Sequence, residues 1–385
     1  MYLTNEPTFY VFEITNDKFE AIGEVTQVTS VMWAEASNGC AEFELWAAYT
    51  SDMAELLKTG NVIWLDGDDV GGLIEHVRPT FDDDGNGTIN VKGRTLECLL
   101  ERRAVNGTWK RTNKSVSTIM REMVADHAIT PANDKRIIPY LALEENDPLV
   151  GGVVSSYQKT GDDVYTALCK LAENYSLSWS LAFIPSSTSL ELRVREGVDR
   201  SLDSGGSNGY VVFSTDMGDL LSSEYEKSVK DFKTVANVYG EAESGSRSYV
   251  IVGDDDGSGF DRYELYVDAR DLQSEVYDED GTSHTLSEAE YIDMLMERGL
   301  EKLAECIVQE SFNASVRPLQ DASFKYGEDY VVGDVITFQD DRIGVTVDAR
   351  VEQVQAEYGE DYSLSVTVGY ETPTIMQRLR RMTAN

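Results

Sequence analysis

A chain of 385 residues, 41% of them hydrophobic, is long enough for two to four domains with separate cores. Its formal net charge of −36 repels phosphate backbones and excludes sequence-specific nucleic-acid binding as an expected role. No apolar run approaches the roughly 20 residues of a membrane-spanning helix, and the start lacks a secretory signal, so no stable membrane insertion is expected.

In chain order, residues 9–14 read as a first strand, followed by 21–23 and 25–33. Ala41, Phe43 and Leu45 alternate with Glu42 and Glu44, the pattern of a half-buried strand. Ser51 is placed to cap a short helix through Ala54, Leu56 and Leu57 that ends at Gly60. Strands over 61–65, 72–77 and 88–91 follow, and 93–103 turns helical. Residues 1–100 therefore read as an all-β unit with one helix.

Over 101–204 the pattern is mixed, which predicts an α/β domain. Ser115 caps a helix with Val116, Ile119, Met120, Met123 and Val124 on one face, and Thr160 caps a second with Val164, Leu168, Leu171 and Ala172 inward. Leu177, Trp179, Leu181 and Phe183 alternate, Pro185-Ser186-Ser187 turns, and Leu190, Leu192 and Val194 return as a hairpin. The weakly patterned 131–159 segment reads as a long ordered loop.

Gly205-Gly206-Ser207-Asn208-Gly209 reads as a linker. Strands at 211–213, 220–226, 234–240 and 249–252 are expected to partner the C-terminal strands, with 253–311 as a helix-containing insertion. Within it, Ser287 and Glu290 form a capping box opening a helix that buries Ile292, Leu295, Met296, Leu303 and Ile307. The clearest strand carries Ile343, Val345, Val347, Ala349 and Val351 on one face. Its phase then slips to Val354, Ala356 and Tyr358, which predicts a β-bulge near Glu352 and Gln353. Gly359-Glu360-Asp361 turns, and Leu364, Val366 and Val368 return. These strands are too few to close a barrel, so 205–252 and 312–370 are expected to form a discontinuous second barrel. Residues 371–385 read as an amphipathic tail with Arg378, Arg380 and Arg381 opposite Ile375, Met376, Leu379 and Met382. The fold class expected is α+β, mainly β.

Asp82, Asp84, Asn86, Gly87 and Ile89 occupy positions 1, 3, 5, 6 and 8 of a calcium loop. Gly93 stands where the bidentate glutamate belongs, and the flanks are strands, so an Asp- and Gly-rich hairpin turn is the better reading. Asp254, Asp256, Ser258 and Gly259 form a poorer copy, read as an exposed loop. His76, His127 and His284 have no zinc-ligand spacing, and no glycine-rich phosphate cradle occurs. Cys40, Cys98, Cys169 and Cys306 sit far apart among apolar neighbours and read as reduced core thiols. With 69 acidic residues, any carboxylate spacing can be found, so none identifies a glycosidase. No catalytic, cofactor-binding or metal-binding residue is assigned, and no cofactor is expected.

Five stretches resemble the tail-tip hub proteins of siphoviruses and prophages of Gram-positive hosts. They are 93–103 (GRTLECLLERR), 211–241 (VVFSTDMGDLLSSEYEKSVKDFKTVANVYGE), 261–272 (DRYELYVDARDL), 298–305 (RGLEKLAE) and 326–338 (YGEDYVVGDVITF). The ordered set covers nearly the whole chain. The resemblance implies a homotrimer that closes the tail tube, with two barrel domains per subunit, an N-terminal β-barrel over 1–100 and the second over 205–252 with 312–370, giving a pseudo-sixfold ring and leaving 101–204 and 253–311 peripheral. The neighbours it implies are the distal tail protein, the tape measure protein, and fibres or receptor-binding proteins. Longer members of the family continue into fibre or wall-degrading domains; nothing in this sequence matches them, so lytic activity is not expected.

Overall fold

The computed structural model describes residues 7–145, 148–205, 207–243, 246–277, 283–306, 308–316, 323–359 and 362–369. Their contacts divide the chain into two units. One runs to Glu224 and resumes at Phe312; the other is Tyr225–Ser311.

The first unit is built around the strand Val345–Tyr358. Its register shifts between Val351 and Gln353, so the bulge falls where the hydrophobic phase slips. Before the bulge the strand runs antiparallel to Val335–Asp340, with Phe338 opposite Val347. Beyond it the partner is Val28–Ala36, with Trp33 opposite Ala356. The extra residue keeps Val347, Ala349 and Val351 and then Val354 and Ala356 all buried. Tyr362–Gly369 lies along the other edge, burying Leu364, Val366 and Val368. Ile343, expected on the same face, is 50% exposed because it precedes the strand.

This strand joins the two β-rich parts into one hydrogen-bonded sheet. Its path runs through Leu220–Ser228, Gln309–Val316, Tyr362–Gly369, Val345–Tyr358, Val28–Ala36, Glu42–Ala48, Gly87–Thr95, Gly71–Phe81, Val62–Leu65, Phe9–Ile14 and Phe19–Val25. Val335–Asp340 pairs with Val345–Tyr358 off this path, and Val212–Ser214 pairs parallel to Val335–Asp340. Trp33 packs between Phe9 and Phe43 at ring distances of 5.4 and 5.3 Å. Gly93 is required here: a Cβ would lie 1.8 Å from the Leu73 carbonyl oxygen and 2.8 Å from the Phe43 ring.

Residues 101–204 add helices Val116–Val124 and Val164–Tyr175 and the hairpin Leu177–Ile184 with Ser189–Glu196. Ser115 caps the first helix as expected, accepting from the Thr118 amide. The second is capped by Asp163, not Thr160, since Thr160 ends a strand and Gly161 and Asp162 turn the chain at positive φ. Likewise Thr50, with extended φ, caps the helix whose first residue is Ser51. The segment expected as a loop holds Leu141–Leu143, parallel to Ser189–Glu196, and Val153–Thr160, antiparallel to Thr108–Ser115. Both strands are short or polar and take their order from pairing, which a propensity pattern does not register.

The second unit places Val235–Glu243 between Ser246–Gly253 and the parallel strand Glu264–Asp268, with helix Glu288–Ala304 packed on one face. Thus the strands at 234–240 and 249–252 pair with each other, not with the C-terminal set. Ala236, Val238, Val252, Val267, Tyr291, Leu295 and Leu303 form a core of their own. Gly299 lets the helix come close, as a Cβ there would meet Val238 at 2.6 Å and Val252 at 2.8 Å. The Ser287–Glu290 capping box is formed. Leu295 and Leu303 are buried and Ile292 half-buried, whereas Met296 is 39% exposed and Tyr291 takes the buried place. Ile307 and the 371–385 tail lie outside the described residues.

Candidate functional site

Within the first unit, strand Val28–Ala36, the turn after Val62–Leu65, the 177–196 hairpin and the segment 326–334 surround a cleft of about 670 Å³. Glu35, Asp68, Asp69, Arg193, Arg195, Tyr326 and Asp334 line it. The Tyr326 hydroxyl donates to the Glu35 carboxylate at 2.7 Å. Desolvation pushes the Glu35 carboxyl up to about 7, and burial raises that of Asp68 as well. Burial also raises the Tyr326 hydroxyl far above its ordinary range. The cations are engaged: Arg193 pairs with Asp69 and, at 3.3 Å, with Glu144, and Arg195 pairs with Glu144.

Around the cleft, hydrogen bonds tie three stretches of chain together. Arg350, 4% exposed, donates to Ser178 at 2.7 Å. Asp334, 2% exposed, accepts from the Val198 amide at 2.8 Å and from Arg200 at 3.0 Å. Trp179 donates from its ring to Asn38 at 2.8 Å, and Ser37 donates to Glu352 at 2.6 Å. A Cβ at Gly197 would strike the Gly333 carbonyl oxygen at 1.7 Å, so the backbones meet directly. A buried ion or hydrogen-bonded charge of this kind fixes position more than it adds stability. The arrangement is a joint.

The other sequence candidates are not part of its lining. Asp82 is consumed by its own turn, accepting from the amides of Asp84 at 3.0 Å and Asn86 at 2.8 Å and from the Asn86 side chain at 2.9 Å. Those bonds, the Asn86 side chain foremost, hold its carboxyl below the usual range. Asp254 accepts from the Asp256 amide in an exposed loop. His127 is buried and bonds the Met123 carbonyl oxygen at 2.9 Å, and burial lowers its basicity. His76 is exposed at a register shift in Gly71–Phe81, while the side chain of His284 lies outside the described residues. The four cysteines are free thiols; Cys98 is buried and the other three are half-buried. Among the described residues no cluster of His, Cys, Asp and Glu could hold a metal ion. No described helix is long and apolar enough to cross a membrane.

Sequence reasoning did not single out Glu35, Asp334 or Arg350. The available signal was the stretch 326–338, which supplies Tyr326, Gly333 and Asp334 to the joint.

The fold is shared end to end with proteins of phage tails. A tail protein from Neisseria meningitidis superposes with a TM-score of 0.56 at 13% identity, covering 96% of this chain and 98% of that one. The 43 kDa tail protein of prophage MuSo2 from Shewanella oneidensis gives 0.57 at 12% identity, covering 96% and 99%. No curated protein matches at a significant level. The fold so defined is the mainly β one of these tail proteins. Residues 11–370 match the model of the Siphovirus ReqiPepy6 Gp37-like proteins, and the chain belongs to that family.

Proposed function

We propose that this structural tail protein is the hub at the tail tip, three copies forming a ring that closes the tube and takes part in host attachment and DNA ejection. The observation that carries the reading is the family match over 11–370 together with a fold common to two tail proteins over almost their full lengths. The partners proposed are further copies of the chain, the distal tail protein, the tape measure protein and the fibre or receptor-binding proteins. Residues 1–100 and 205–224 with 312–370 supply barrel segments to the ring, with 101–204 peripheral and 225–311 inserted. Three copies at −36 each favour an acidic lumen through which DNA slides without phosphate contacts to Lys and Arg. The role is structural, not catalytic, because the charged cleft serves as a joint. The chain is made in the host cytoplasm and resides in the virion tail.

Light scattering together with negative-stain images tests this reading. A mass of three chains and ring-shaped particles are expected. A monomer at every concentration and salt, or clearing of peptidoglycan in a zymogram by this chain alone, would overturn it.

A further inference from the structure

The helix-free face of the three-stranded sheet in the second unit carries a row of tyrosines. Tyr239, on the central strand, sits directly opposite Tyr249 and diagonally from Tyr266, which pairs with Asn237. Ring centroids are 4.8 Å apart for Tyr239–Tyr249 and 5.2 Å for Tyr239–Tyr266, with interplanar angles of 38° and 30°. Tyr249 is 42% exposed and Tyr266 61% exposed, and Ile251 extends the row at 37%. The opposite face already holds the core of this unit, so the row contributes nothing to it. Three rings lying side by side at this tilt form a shallow apolar platform roughly 10 Å long, the sum of two inter-ring steps set by strand spacing.

The platform is orientated by polar contacts. Tyr249 donates to the Asn237 side-chain oxygen at 2.7 Å, and Arg247 donates to the Tyr266 hydroxyl at 3.1 Å. Its fringe is charge-neutral. Arg270 and, at 3.8 Å, Arg247 pair with Asp268, while Arg262 pairs with Glu264 at 2.6 Å and Asp255 at 2.8 Å. Three cations thus face three carboxylates on a chain whose overall charge is −36. Among these six groups every charge is paired, so none of them is left over for an ionic ligand of either sign. A neutral ligand with flat apolar faces and many hydroxyl edges finds ring faces flanked by groups that donate and accept.

We propose that this face is a binding platform for an uncharged polysaccharide, two sugar rings stacking on Tyr249, Tyr239 and Tyr266 with Asn237 and Arg247 at their hydroxyl edges. The platform belongs to one unit of one chain, so the proposal does not depend on ring formation.

Isothermal titration of the full chain with three neutral probes tests it: the hexasaccharides of N-acetylglucosamine, maltose-type glucose and β-linked galactose. Saturable binding of at least one is expected, with a dissociation constant on the order of 0.1–1 mM for a shallow open site. Tyr249→Ala and Tyr266→Ala should each weaken it about tenfold. Tyr210→Ala, at another exposed tyrosine, should leave it unchanged. Circular dichroism establishes that each variant is folded. Absence of saturable binding up to about 10 mM for all three probes would overturn the proposal. So would unchanged affinity in both folded variants, or a change of molar mass in place of a change in affinity, which would make the face a contact between copies.

Discussion

Asp163 decides where a helix begins. Its side chain accepts from the Thr166 amide at 2.7 Å and satisfies one of the donors left open in the first turn. Removing it in Asp163→Ala should cost about 1 kcal/mol in urea unfolding, whereas Thr160→Ala should cost close to nothing. Equal losses would return the cap to Thr160. Glu35 makes a second case at this scale. Its folded carboxyl titrates near 7, against an ordinary value of 4.5. The folded state therefore holds the proton more tightly than the unfolded chain. The stability this contributes is complete below about 4.5 and is lost as the pH rises through 7. Glu35→Gln has no such proton to lose, so its urea midpoint relative to wild type should rise between pH 5 and pH 8. An offset that stays constant across this range would count against the assignment.

At the scale of elements, what was legible depended on whether the information was local. The bulge could be read because a two-residue period that changes phase has one structural remedy, and the register shift falls at Val351–Gln353. The hairpin of Leu177–Ile184 with Ser189–Glu196 and the Ser287 capping box are local in the same sense. Partner choice is not. Val235–Glu243 and Val345–Tyr358 both alternate, yet one sheet edge joins Ser246–Gly253 and the other Val28–Ala36. Alternation says that a face is buried without saying against what. The joint was harder still to see, because Glu35, Asp334, Ser178 and Arg350 are polar residues from distant parts of the chain. Their burial arises only after the strands that carry them have met. Arg350 in particular occupies a polar place in the alternation, and its sequence neighbours give no sign that it is 4% exposed.

For the whole molecule, two compact units imply two cooperative transitions. Leu295 is fully buried in the core of the second unit, and Leu295→Ala should destabilise that unit by about 2–5 kcal/mol. Scanning calorimetry should show one transition moved down and the other unchanged; a single transition moving as a whole would mean that the units unfold together. The same division bears on assembly. The large sheet takes strands from both ends of the sequence, while the second unit is enclosed between Leu220–Ser228 and Gln309–Val316, which are neighbours in that sheet.

The pairing of Ala36 with Gln353 also sets a schedule for biosynthesis. At about 5–20 residues per second, a ribosome takes some tens of seconds to make the residues between them. Throughout that interval Val28–Ala36 has emerged with one edge bare, an invitation to stray strands on neighbouring nascent chains. Translation of Val345–Tyr358 is what seals it, so termination upstream of Val345 would release a polypeptide with its central seam still open.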